Sequence, residues 1–144
     1  GDFLYGSTLF DPKKNPEIFI TPHLADDEDK TVHEYKVHTV SLDSYFVDKK
    51  IDFVKIDAEG SEGKIIKGMV KTMAANPSIA IVAEFVPTYL EGNDTNPNAY
   101  LEFIKKLSLP IFVLDYRGLA PLRKTPKSGV DLVFTKRDLR KLKL

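Results

Sequence analysis

Cysteine and tryptophan are absent from the 144 residues. Without a thiol the chain forms no disulfide scaffold, no thiolate zinc site and no Cys nucleophile, and it suits a reducing, cytoplasmic setting. An excess of one charge is missing too: Lys plus Arg and Asp plus Glu both number 21, a formal net charge of zero. No global field steers such a chain toward nucleic acid or anionic lipid, so any partner must be recognised locally. Long hydrophobic runs are lacking. None approaches the roughly 20 residues that cross a bilayer, so no membrane span is expected. Gly1-Asp2-Phe3-Leu4-Tyr5 also lacks a basic region ahead of an apolar one. A start at Gly rather than Met suggests a processed chain or a piece of something longer.

What is present fits one soluble domain with a core, since 42% of residues are hydrophobic and 29% charged. Residues 1–35 read as an irregular segment with short strands at Gly6–Phe10 and Glu17–Ile20. The acidic cluster Asp26-Asp27-Glu28-Asp29 lacks the glycine and distal Glu of a calcium loop, and reads as a solvated loop. Residues 36–135 read as an α/β core and 136–144 as a basic, solvated tail. Tyr35–Val40 alternates and is β-branched, as a strand does, and Ser41 is placed to cap a short helix over Leu42–Phe46.

Four apolar runs follow. Ile51–Ile56 reads as a mostly buried parallel strand, and Ile65, Ile66, Met69, Val70 and Met73 recur at helical spacing until Asn76-Pro77. Ile79–Phe85 is a second strand. Residues 86–96 read as a loop long enough to cover a site. Asn96-Pro97 opens a helix with its stripe at Tyr100, Phe103, Ile104 and Leu107. Ile111–Asp115 and Val130–Thr135 are the third and fourth strands, joined by a basic loop over 117–129. Strand and helix alternate as in an α/β domain with a largely parallel sheet. The last connection has no crossover helix, which favours an antiparallel final pair.

Three strands carry an acid at the carboxyl end, Asp57, Glu84 and Asp115, and Glu59 sits on the first turn. In open α/β sheets ligands bind at those ends. Such a rim suits a general base, a hard divalent cation, or hydrogen bonding to a polar ligand; each acid can equally cap the helix that follows. Lys55 suits either substrate contact or an ion pair. Gly60, Gly63 and Gly68 form neither a dinucleotide fingerprint nor a phosphate loop. His33 and His38 fall on opposite sides of a strand and do not share a metal.

The ordered motifs Val40-Ser41-Leu42-Asp43-Ser44-Tyr45, Lys55-Ile56-Asp57-Ala58-Glu59-Gly60-Ser61-Glu62, Ile66-Lys67-Gly68 and Ile81-Val82-Ala83-Glu84 resemble the FkbM family of S-adenosylmethionine-dependent methyltransferases. The resemblance spans roughly residues 35–135, with Gly6-Ser7-Thr8-Leu9 similar to an earlier family segment. It implies a class I methyltransferase, Rossmann-like sheet, mostly parallel with an antiparallel strand near one edge. It also implies methyl transfer to a hydroxyl of a sugar, glycan or natural product. Asp57 would stand beside the methyl group as base or acceptor anchor, with Glu59 and Glu84 as supporting acids. Asp57 and Ala58 would border the cofactor. Use of a divalent metal stays open, and no pattern specifies an oligomeric state.

The family's glycine-rich loop and ribose-holding acid have no counterpart here. The sheet is therefore expected to be incomplete, the carboxyl-terminal two-thirds of such a domain without its cofactor half and inactive alone, with an open edge on strand Ile51–Ile56. A magnesium-dependent phosphoryl-transfer or hydrolytic domain, and a non-catalytic module completing a partner's sheet, are the alternatives.

Overall fold

The computed structural model describes residues 39–138, and within them each of the four apolar runs contains a strand. Readings that fall on residues 1–38 and 139–144 lie outside the described residues, among them His33, His38, the acidic cluster and most of the basic tail. The elements are α1 (Leu42–Tyr45), β1 (Phe53–Ile56), α2 (Glu62–Lys67), α3 (Val70–Ala75), β2 (Ala80–Phe85), α4 (Pro87–Gly92), α5 (Pro97–Lys106), β3 (Ile111–Asp115), β4 (Gly118–Pro121) and β5 (Val130–Thr135).

Local chemistry sets most helix ends. The Ser41 hydroxyl accepts from the Ser44 amide at 3.1 Å, and Asn96 Oδ1 accepts from the Ala99 amide at 3.0 Å with Pro97 at the first helical position. Helix α3 has no cap of its own. Asp43 supplies one from α1, its Oδ1 accepting from the Thr72 amide at 2.7 Å and its Oδ2 from the Lys71 amide at 3.1 Å. Asn76 ends α3 as its position predicts. Its side chain then accepts from the Ile51 amide at 2.8 Å and so fixes the approach to β1.

The sheet order is β1-β2-β5-β3-β4. Only β1 and β2 pair in parallel; β2 with β5, β5 with β3 and β3 with β4 are antiparallel. The expected mostly parallel sheet is thus corrected to a mostly antiparallel one, and the antiparallel strand expected near an edge lies at the centre. The cause is topological. The α4–α5 crossover lands β3 two positions from β2, and the chain returns through the β3–β4 hairpin and a helix-free loop to fill the gap with β5. The hairpin sits where a loop was expected, and residues 87–92, also expected as loop, are helical.

One sheet face is the core. Ile56, Ile81, Ala83, Phe85, Leu132 and Phe134 share it by register and cluster with Ile66, Met69, Tyr100, Leu101 and Ile104 from the helices. The opposite face carries Phe53, Lys55, Val82, Glu84, Asp131 and Leu114. Phe53 is 60% exposed there, so β1 is half-open rather than mostly buried. A small apolar hollow lined by Met73, Pro77, Ile79, Leu107 and Leu109 lies at the other end of the strands from the acids.

Candidate functional site

Beyond β1 the chain makes a tight turn, closed by the Ser61 amide donating to the Ala58 carbonyl at 3.0 Å. Its central residues Glu59 and Gly60 have φ of 48° and 97°, the left-handed pair of a type I′ turn. Only glycine fits at position 60, since a Cβ there would stand 2.2 Å from the Tyr89 carbonyl oxygen. At Gly63 a Cβ would meet Thr95 Cγ2 at 2.7 Å, so α2 packs closely on the α4–α5 connection. These two glycines serve close approach of backbone and side chain.

Two side chains brace the turn. Glu62 is 1% exposed, and its Oε1 accepts from the Ala58 amide at 2.8 Å. Burial pushes its carboxyl above the usual range, while the Ala58 and Gly60 amides pull the other way. Asn93, just past α4, donates from Nδ2 to the Glu59 carbonyl at 3.0 Å.

Asp57 stands one residue beyond β1, exposed, with the Lys55 ammonium 2.5 Å from its Oδ2. That hydrogen bond raises the Lys55 pKa, which resolves Lys55 as an ion-pair partner. Glu84 is half-buried near the end of β2 and directly opposite Asp131 of β5. Its carboxyl is held above the ordinary range, first by burial, then by the negative charges of Asp57, Glu59, Glu62 and Asp131. The structure therefore brings Asp57, Glu59 and Glu84 into one electrostatic neighbourhood. Ala58 has its amide engaged by Glu62 and its carbonyl by the Ser61 amide.

Asp115 does not join the rim. Strand β5 separates β3 from β2, and the register Glu84–Asp131–Leu114 puts Asp115 on the opposite face. Arg117 binds it across the hairpin and lowers its pKa. Among the described residues no group of three His, Asp or Glu is arranged to hold a metal ion, and Asp115 stands apart from Asp57 and Glu84.

Sequence reading missed Asp131, Glu62 and Asn93. The polar residue breaking the run Val130-Asp131-Leu132-Val133-Phe134 was the available signal for the first, and the short spacing from Glu59 to Glu62 for the second. Nothing local marks Asn93.

No helix among the described residues is long and apolar enough to cross a membrane. No curated protein and no solved structure matches the chain. A family model described as the methyltransferase FkbM domain matches residues 2–109, a stretch that begins earlier and ends sooner than the motifs alone suggest and that contains Asp57, Glu59, Glu62 and Glu84. With most of its length so matched, the chain belongs to the FkbM methyltransferase family.

Proposed function

We propose that the chain is the acceptor side of an S-adenosylmethionine-dependent methyltransferase acting on a hydroxyl of a small molecule, sugar or glycan. The observation that carries the reading is the gathering of Asp57, Glu59 and Glu84 at the carboxyl end of the parallel pair β1–β2, within the family match. The donor set suits a cationic cofactor, since the carboxylates of Asp57, Glu59, Glu84 and Asp131 outnumber the single ammonium of Lys55 at the rim. Asp57 and Ala58 would border it there. When bound there, S-adenosylmethionine would supply an activated methyl group for the acceptor oxygen. Its ribose and adenine are held, in this reading, by a part of the domain that these 144 residues do not supply.

The rim's own work is to hold the acceptor oxygen in line and take its proton. Glu84 is the better candidate to take the proton, because burial first and then the neighbouring negative charges raise its pKa above the ordinary carboxylate range and make it the stronger base. Asp57 is already engaged by Lys55 and serves as an anchor for the acceptor hydroxyl. Glu59 adds negative potential beside them. In a full-length parent, Glu84→Gln is expected to lower kcat for methyl transfer by roughly 10²-fold or more, the scale of general-base catalysis. Cofactor affinity should stay within a few-fold, and Asp57→Asn should raise KM for the acceptor. Unchanged turnover in Glu84→Gln removes Glu84 as base.

The outer edge of β1 carries no strand among the described residues, which favours a second reading as a module that completes a partner's sheet. Methyl transfer by the parent, abolished by rim substitutions, decides against it.

A further inference from the structure

We infer that Glu62 and Asn93 are positioning residues that together hold the 58–61 turn in the left-handed form that sets Glu59 beside Asp57 at the rim. The inference deepens the methyl-transfer reading and rests on it for the chemistry.

Glu59 adopts a φ of 48°, a conformation that L side chains rarely take. Such strain persists only where the surroundings over-determine it, and it concentrates at functional sites. Here the turn is gripped from two elements. Glu62 at the start of α2 accepts the Ala58 N–H at 2.8 Å, on the near side of Glu59. Asn93 beyond α4 donates to the Glu59 carbonyl at 3.0 Å on the far side. Asn93 is itself fixed, its backbone amide donating to the Tyr89 and Leu90 carbonyls at 3.1 Å and its Nδ2 also reaching the Tyr89 oxygen at 3.2 Å.

Each contact demands its residue type. The Ala58 amide needs an acceptor, and a buried carboxylate is unfavourable unless something engages it. The Glu59 carbonyl needs a donor that a helix end can deliver. Without either grip Glu59 is free to return to a right-handed conformation, which moves its carboxylate relative to Asp57 and Glu84.

Glu84 reports this movement. It lies in the field of Asp57, Glu59, Glu62 and Asp131, with Lys55 as the neighbouring cation, so its titration midpoint senses where the turn holds its charges. The test follows the Glu84 side-chain carboxyl by carbon NMR across pH in the full chain. Asn93→Ala is expected to lower the midpoint toward the ordinary carboxylate range and to shift the amide signals of residues 58–61. Glu62→Gln and Glu62→Ala remove the same charge, but only Gln keeps an acceptor for Ala58. The midpoint should therefore fall further in Glu62→Ala than in Glu62→Gln. A wild-type midpoint in Asn93→Ala overturns the proposal, as does an equal midpoint in the two Glu62 variants. If Glu62→Ala does not fold, the Asn93→Ala measurement decides alone. A parent that transfers no methyl group ends the functional reading and leaves this titration result standing.

Discussion

Glu84 and Asp131 face each other across β2 and β5 with the same charge, an arrangement that a sheet selected for stability alone avoids. The sign of the pH effect follows from Glu84's raised pKa. The native state keeps the Glu84 proton to higher pH than the unfolded chain, whose value is near 4.5. Glu84 therefore favours folding at pH below that value, and the contribution is lost as pH rises through its folded pKa. At neutral pH, Glu84→Gln should stabilise the fold by a few tenths to about 1 kcal/mol, the range for cross-strand charge pairs, and less in high salt. Urea unfolding at neutral and acid pH checks this: the gain should shrink on acidification, and a less stable variant at neutral pH would refute the account. Asp57, Glu59 and Glu84 were legible in the sequence because each ends an apolar run or lies in a contiguous motif. Asp131 was hidden, because its place beside Glu84 depends on a strand pairing that joins residues 131 and 84.

Elements were legible where their determinants are local. Helices α1 and α5 carry their caps, Ser41 and Asn96, in the adjoining residue, and both stand where the sequence puts them. Helix α4 starts at Pro87 after Val86 with no side-chain cap, among residues that also favour turns, and it was read as loop. The break between α2 and α3 was missed for a related reason, since the cap of α3 comes from Asp43 across space. Asp43 thus has a structural duty separate from the rim. Asp43→Ala should cost about 1–2 kcal/mol, the scale of a lost helix cap, and leave the Glu84 titration where it is. Thermal unfolding combined with that titration tests both parts. A stability unchanged within error would mean that the Thr72 and Lys71 amides find another acceptor.

The described sheet is organised around the last of its strands in chain order. β5 lies between β2 and β3 and pairs with both, so among the described strands it is the hydrogen-bonded link between the β1–β2 unit and the β3–β4 hairpin. The order of elements made an α/β domain legible, but the position of β5 was not, because the sequence shows that a helix-free connection is antiparallel without showing which gap it fills. The consequence reaches past the family match, which ends at residue 109 while the central strand begins at Val130. Leu132 and Phe134 of β5 are fully buried against Ala83, Ile81 and Tyr100, and losing Phe134 alone to Ala should cost about 3–5 kcal/mol. A chain cut after Leu109 keeps the whole matched stretch, yet it loses Ile111, Leu132 and Phe134 from the core and exposes the inner edge of β2. Given that domains are stable by only about 5–15 kcal/mol, it should show no cooperative melt by circular dichroism, whereas the full chain melts in one transition. A cooperative transition in the shortened chain would show that the β1–β2 unit and its helices form an independent core, and that β5 is an addition to the fold rather than its centre.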